Sequence, residues 1–273
     1  MPLPFAGPGA SLAAWPVSNL DGTNLRASTV FLPETQALFA RMTTPPTYAR
    51  AVLINTLVGS LVTAGAWSKM DAWWVPAAAD TQASLLNWTS SSYTLTPVNA
   101  PAFAADRGYT GNGTTSYLDT GFNPVTAAGQ FSRDSACFGF WCVNEVTNVN
   151  PSGSWDGTDG VTVAPRSGGG TASFRVNQAT ALSVASVVTK GLTVANRSAA
   201  GAMQGYRNGV SVGSATTAST AMNSLNLYLC SFSGVGFNTF QHGAAFAGSS
   251  LSAPEQLAVY NALNAYMIGV GAA

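Results

Sequence analysis

The chain has 273 residues, of which 8% are charged, with 11 acidic and 11 basic side chains. An average globular protein carries about 25% charged residues, and a chain without a basic excess lacks the clustered Lys and Arg that bind phosphates. The composition therefore excludes nucleic acid as an expected partner. The 47% of hydrophobic residues exclude global disorder.

Low charge also bears on self-association. A surface of small neutral polar residues gives little electrostatic repulsion between copies of the chain. Trp73 and Trp74 add large apolar side chains within a region of helical pattern. We therefore expect a homo-oligomer.

The first third of the sequence divides into an arm and a helical module. Residues 1–32 are rich in Pro, Gly, Ala and Asn without a regular period, which favours an extended N-terminal arm. Residues 33–87 are expected to form a helical docking module: one helix begins at Pro33, a second runs from about Thr47 to about Ala64, and a short third segment covers Ser68–Val75. Polar residues interrupt the apolar stripe of the second helix, so the pattern predicts a buried helix and no membrane insertion.

From residue 88 to residue 273 the pattern predicts a mainly β fold, an antiparallel β-sandwich closed by a C-terminal capped helix. Asn208-Gly209 lies between alternating apolar residues and predicts a tight hairpin. Ser252 and Glu255 form a capping box at the start of the last helix. The other predicted strands are Ser116–Leu118, Ala136–Val143, Gly160–Val163, Ala172–Val176, Leu192–Asn196, Leu225–Cys230 and Phe240–Phe246.

The three cysteines do not form the even set that a disulfide framework needs. Cys137 and Cys142 are five residues apart in one predicted strand, so we expect them to face opposite sides of the sheet. The sequence contains no Cys-x-x-Cys and only one histidine, so it predicts no cofactor and no His/Cys metal cluster.

Catalytic groups are scarce. A glycosidase needs two carboxylates facing one cleft, and the three glutamates are Glu34, Glu145 and Glu255. Glu34 and Glu255 are accounted for by helix starts, and Glu145 has no acidic partner two or four residues away. His242 lies in a predicted strand between phenylalanines, a position typical of a core or subunit-interface histidine. We therefore predict no catalytic residues.

The sequence also contains candidate residues for a sugar-binding surface. Trp155, with Tyr206 and Trp141, offers rings on which the apolar faces of a sugar could pack, and Asp156 and Asp159 offer acceptors for its hydroxyls. The loops 155–160 and 233–238 are the expected contact regions. Asp156 and Asp159 also form a weak candidate for Ca²⁺, which prefers oxygen ligands. The alternative is that Trp141 belongs to the core, that Trp155 anchors a loop, and that the aspartates only stabilise a turn.

Four segments together resemble the concanavalin A-like (laminin-G-like) jelly-roll superfamily. They are Gly111–Leu118, Phe138–Trp141, the hairpin Tyr206–Val210, and the strand Phe240–Ala247 followed by Leu251-Ser252-Ala253-Pro254-Glu255. The resemblance covers roughly residues 100–268 and implies an antiparallel sandwich. It implies little about activity, because this fold serves lectins, glycosidases, adhesion modules and inert structural domains.

The helical region resembles a module of tailed-bacteriophage and prophage proteins, where it precedes a concanavalin-like domain. The segments that carry this resemblance are Ala37–Met42, Pro45-Pro46, Ala49-Arg50, Ile54–Leu57 and Ala64–Asp71. The resemblance implies a structural protein on the virion surface, as a head decoration, head fibre or tail fibre component. Its implied partners are other virion proteins, copies of itself and a host glycan. The alternative is a lectin-like glycan-binding module of a bacterial surface or secreted protein.

Overall fold

The computed structural model describes residues 30–127, 129–148 and 150–273. The predicted arm, residues 1–32, therefore lies almost wholly outside the described residues. Residues 31–273 form one compact unit. Its helices are α1 (Pro33–Phe39), α2 (Tyr48–Thr63), α3 (Thr81–Leu85) and α4 (Ala253–Val270).

The strands form two large sheets and one small sheet. In chain order they are β1 (Met70–Trp74), β2 (Thr96–Val98), β3 (Ala102–Ala104), β4 (Gly108–Thr110), β5 (Tyr117–Asp119), β6 (Ala136–Cys142), β7 (Ser152–Trp155), β8 (Gly160–Ala164), β9 (Thr171–Val176), β10 (Leu182–Ala185), β11 (Gly191–Ala199), β12 (Ala202–Arg207), β13 (Val210–Ala215), β14 (Tyr228–Leu229), β15 (Ser231–Phe232), β16 (Gly236–Phe237) and β17 (Gln241–Gly248). The first sheet has eight strands in the order β13-β12-β11-β6-β17-β4-β3, and β1 also pairs with β17. The second sheet has the order β10-β9-β8-β7-β15-β16, and the small sheet has the order β14-β5-β2. Almost all pairs are antiparallel, so the predicted antiparallel β-sandwich is confirmed.

Strand β6 shows how the sequence separates the layers. Phe138 and Phe140 enter the core between the two large sheets, whereas Cys137 and Trp141 enter a second core between the first sheet and the helices. All seven residues of β6 are buried because both of its faces are covered. The prediction that Cys137 and Cys142 face opposite sides is confirmed, because Cys142 belongs to the core between the sheets.

A helical layer covers the outer face of the first sheet. The predicted second helix is confirmed, and Thr47 caps α2 by accepting a hydrogen bond from the backbone N–H of Arg50 at 3.3 Å. The predicted capping box is also confirmed at the start of α4, where the Glu255 carboxylate accepts from the Ser252 N–H at 2.7 Å. In the described residues the helices are too short or too polar to pass through a lipid bilayer.

The segment predicted as a third helical piece is instead a strand. Met70–Trp74 pairs antiparallel with β17, with Trp73 opposite Phe246. Trp73 and Trp74 are fully buried, so neither provides apolar surface for contacts between copies. Because β1 belongs to the main sheet and α2 covers that sheet, the predicted boundary between residues 87 and 88 does not separate two compact units.

Candidate functional site

The candidate site lies on the outer face of the second sheet, at the end of β7. Trp155 is the last residue of β7 and pairs with Gly160, the first residue of β8. A Cβ at Gly160 would stand 2.6 Å from Cε3 of Trp155, closer than carbon atoms can approach. The absence of a side chain at Gly160 therefore allows the indole ring to lie against the neighbouring strand.

Arg175 covers one face of this ring. The Cζ atom of Arg175 lies 3.9 Å from the centroid of the Trp155 ring, within the range of a cation–π contact. Among the described residues the Arg175 side chain makes no salt bridge or hydrogen bond, and its Nε is buried without an acceptor. Burial lowers the pKa of Arg175, since the guanidinium has no carboxylate partner to offset the loss of water.

Arg175 is not among the site residues predicted from the sequence. The alternation of β9 contained part of the signal, because Phe174 and Val176 belong to the core and so place Arg175 on the outer face. The contact with Trp155 depends on the register of three strands, since β8 lies between β7 and β9.

The two loops expected to contact a ligand are adjacent and joined. The Ser233 hydroxyl accepts a hydrogen bond from the Trp155 N–H and donates one to the Trp155 carbonyl, both at 2.7 Å. Ser233 has a φ of 54°, and Gly234 follows with a φ of 66°. This left-handed backbone brings loop 232–236 against the end of β7.

A second aromatic side chain lies on the same face. Phe232 of β15 is in register with Gly153 of β7, two residues before Trp155. A Cβ at Gly236 would stand 1.9 Å from the Phe232 ring, so a glycine is required under this ring as well. Phe232 and Trp155 are both half-buried, and part of each ring remains accessible.

The aspartates of the predicted site serve different purposes. Asp156 is exposed, and its Oδ1 accepts from the backbone N–H groups of Thr158 and Asp159 at 2.9 and 2.8 Å. This is ordinary turn stabilisation. Asp159 is 9% exposed, and its Oδ1 has no hydrogen-bond partner among the described residues. No group of three or more acidic, His or Cys side chains that could hold a metal occurs in the described ranges, and the Ca²⁺ site stays a prediction.

Tyr206 does not belong to this site. It is 2% exposed and lies in the core between the first sheet and the helical layer, with Trp141. Its hydroxyl donates to Gln204 Oε1 at 2.6 Å. The prediction that Tyr206 contacts a ligand is therefore wrong: α4 covers its strand, and Trp141 stacks on Tyr260 of that helix at 6.0 Å. The alternative that placed Trp141 in the core is confirmed.

Two glutamates are held by structural hydrogen bonds. Burial alone would raise the pKa of Glu145, but bonds from the backbone N–H groups of Thr189 and Lys190 outweigh it and lower that pKa. The same balance lowers the pKa of Glu255, which binds Lys69 at 2.6 Å and caps α4. The third glutamate, Glu34, lies in the first turn of α1.

His242 is fully buried and packs on Phe140, with ring centroids 4.3 Å apart. Its Nε2 lies 3.1 Å from the Ser152 hydroxyl and accepts from the backbone N–H of Cys230 at 3.1 Å. Burial lowers the pKa of His242 to about 3. This is the core position that the sequence pattern favoured.

No protein-family model and no curated protein matches this sequence. Several solved structures are similar to it. Domain 4 of AbnA, an extracellular GH43 arabinanase from Geobacillus stearothermophilus solved with arabinotriose, has a TM-score of 0.51 and 14% identity, covering 70% of this chain and 98% of that domain.

Two further structures match parts of longer chains. The structure of botulinum neurotoxin type C, a toxin whose cell entry depends on interaction with two ganglioside molecules, has a TM-score of 0.54 and 10% identity over 74% of this chain and 53% of that chain. Trypanosoma rangeli sialidase in complex with sialic acid has a TM-score of 0.51 and 12% identity over 78% of this chain and 39% of that chain. At these identities the likenesses show the fold alone, and that fold is an antiparallel β-sandwich.

Proposed function

We propose that this chain is a non-enzymatic glycan-binding module and that the surface around Trp155 contacts the sugar. The observation that carries the proposal is the half-buried Trp155 ring, held on an outer sheet face by Arg175 and by the Ser233 loop. A ring fixed in this way loses little conformational entropy when a ligand binds.

The chemistry of the surface suits a sugar. Aromatic rings pack against the apolar C–H face of a sugar, while neighbouring polar groups bond to its hydroxyls. Arg175 covers one face of the Trp155 ring, so the sugar packs against the part that remains open. The guanidinium supplies donors, and the exposed loop after Trp155 supplies Asp156 and Thr158 as further polar groups.

The ligand class draws support from the structural neighbours. Two of them were solved with arabinotriose or sialic acid and the third depends on gangliosides for cell entry, and all of these ligands contain sugars. The location of the site draws support only from residues of this chain.

The absence of catalysis is part of the proposal. General acid–base catalysis needs carboxylates or histidines that can exchange a proton at the substrate. Glu145 and Glu255 are bound by backbone or lysine donors that favour their ionised forms. His242 lies inside the core.

Virion placement, docking to other virion proteins and self-association stay predictions from the sequence. The alternative, a lectin-like module of a bacterial surface or secreted protein, has the same glycan chemistry. Antibody labelling of phage particles in electron micrographs distinguishes the two: labelled particles support the virion role, and unlabelled particles with labelled bacteria support the alternative.

A glycan array tests the proposed function. We expect the full chain to bind a small group of related oligosaccharides on the array, and a Trp155→Ala variant to bind none of them. A chain that binds no oligosaccharide on a broad array, or one that hydrolyses the bound sugar, would contradict the proposal.

A further inference from the structure

A separate cavity of about 230 Å³ lies in the helical layer, and none of its lining residues belongs to the second sheet. The connection between α1 and α2 forms one wall, with Met42 and Pro46. The segment 78–83 forms the opposite wall, and Trp88 and Tyr266 of α4 also line the space. Most of the lining is apolar, and Asp80 adds one carboxylate, whose Oδ1 accepts from the Ala83 N–H at 2.9 Å.

The two walls are fastened to each other. Gln82 accepts from the Thr43 N–H at 3.0 Å and donates to the Arg41 carbonyl at 2.9 Å. Arg50 of α2 bonds through Nη2 to Asp106 at 2.6 Å. These contacts hold the cavity in a preformed shape, which lowers the entropic cost of filling it.

Arg41 holds the floor of the cavity in place. Its guanidinium donates to the Asn87 and Trp88 carbonyls at 2.6 and 3.0 Å, and to the Ser90 carbonyl. These bonds fix the backbone on both sides of Trp88, so the indole has a defined position. Trp88 is 3% exposed.

Two donors of the lining residues have no acceptor. Trp88 Nε1 and Arg50 Nη1 are buried and make no hydrogen bond within the described residues. Burial would lower the pKa of Arg50, but Tyr266 and Asp106 raise it, so the guanidinium stays charged. A buried donor without an acceptor costs free energy, and a ligand that supplies an acceptor recovers it.

We propose that this cavity binds a small organic monocarboxylate with an apolar body. An apolar cavity of about 150 Å³ accepts a benzene ring, so the larger cavity here accommodates such a ring with a short carboxylate arm. The apolar part packs against Met42, Ile54 and Tyr266, and the carboxylate accepts from Arg50 and Trp88. This site does not depend on the glycan surface.

The test uses the ¹⁵N-labelled full chain and follows the indole N–H signal of Trp88. A Trp88→Phe variant assigns that signal among the seven tryptophans, because the Trp88 signal is missing from the spectrum of this variant. The probes are phenylacetate, 3-phenylpropionate and isovalerate, with phenylacetamide as the uncharged control. We expect at least one carboxylate to shift the Trp88 signal, and phenylacetamide to bind more weakly.

Two variants locate the site. Arg50→Lys keeps the charge that pairs with Asp106 but removes Nη1, and we expect it to weaken binding about tenfold, the effect of losing one charge-assisted hydrogen bond. Ala83→Leu fills the cavity and should abolish binding, whereas Ala37→Leu on the exposed side of α1 should leave it unchanged. Thermal melts confirm that each variant is folded.

Three results would overturn the proposal. The first is no shift of the Trp88 signal with any of the carboxylates up to about 10 mM, above the Kd of a weak small ligand. The second is unchanged affinity in folded Arg50→Lys or Ala83→Leu. The third is phenylacetamide binding as tightly as phenylacetate, which would remove the role of the charge.

Discussion

Arg175 and Trp155 contact each other across a strand to which neither belongs. The guanidinium carbon lies 3.9 Å from the centroid of the indole ring, although β8 separates their strands. Gly160 of β8 makes this contact possible, because a Cβ there would stand 2.6 Å from the ring and 3.0 Å from Arg175 Cδ. A glycine thus determines the shape of the proposed binding surface.

Gly160→Ala should therefore displace the Trp155 ring. We expect a loss of about 1–3 kcal/mol in the free energy of unfolding, as for other insertions into packed sites, together with weaker glycan binding. Tryptophan fluorescence and urea unfolding measure the two effects. Gly169→Ala is the matched control, because its Cβ would lie 4.0 Å from the nearest atom. Equal effects of the two substitutions would contradict the packing argument.

His242 should make stability depend on pH. Its pKa is about 3 in the folded chain because of burial, against about 6.5 when unfolded. As the pH falls, His242 is therefore protonated in the unfolded state before it is protonated in the folded state. The contribution of the neutral, buried His242 to the free energy of unfolding is present above pH 6.5 and is lost as the pH falls towards 3. Between pH 7 and pH 5 we expect the free energy of unfolding to fall by about 2 kcal/mol.

His242→Gln isolates this effect. Glutamine offers an oxygen that can accept from the Cys230 N–H and does not titrate. The variant should be less stable at pH 7 but should show almost no change between pH 7 and pH 5 in urea unfolding. His242 is the only histidine, and the carboxylates with lowered pKa, Glu145 and Glu255, lose their contribution only at lower pH. An equal change in the free energy of unfolding between pH 7 and pH 5 in the unchanged chain and in His242→Gln would contradict the assignment of this pH dependence to His242.

Removal of residues 1–75 should prevent folding. The fragment 76–273 lacks β1, whose Trp73 and Trp74 are fully buried, and α2, which covers the first sheet. Loss of one buried tryptophan typically costs about 3–5 kcal/mol, a large part of the stability of a domain. We expect circular dichroism to show a cooperative melt for the fragment 31–273 and none for 76–273. A cooperative melt of the shorter fragment would restore the predicted domain boundary.

Features set by local sequence could be predicted. The hairpin between β12 and β13 turns at Asn208 and Gly209, with φ of 48° and 78° as the predicted turn requires. The capping box of Ser252 and Glu255 likewise depends on residues three apart. Each of these signals lies within a few residues, so no knowledge of the rest of the fold was needed.

Features set by distant pairing could not be predicted. Met70–Trp74 is a strand because it pairs with β17, about 170 residues later. Tyr206 lies in the predicted hairpin strand β12, but the hairpin pattern does not show which face of that strand α4 covers. In the same way the sequence predicted Trp155 as a candidate contact residue, whereas its neighbour Arg175 could be recognised only from the register through Gly160.

Calorimetric titration of the strongest array oligosaccharide into three proteins tests the glycan-binding site most directly. The proteins are the unchanged chain, Trp155→Ala, and Trp67→Ala, which removes a half-buried tryptophan that packs in the helical layer. The proposal predicts that Trp155→Ala weakens binding at least about tenfold, as expected for a central aromatic contact, while folded Trp67→Ala binds as the unchanged chain does. Equal affinities of the unchanged chain and folded Trp155→Ala would contradict it.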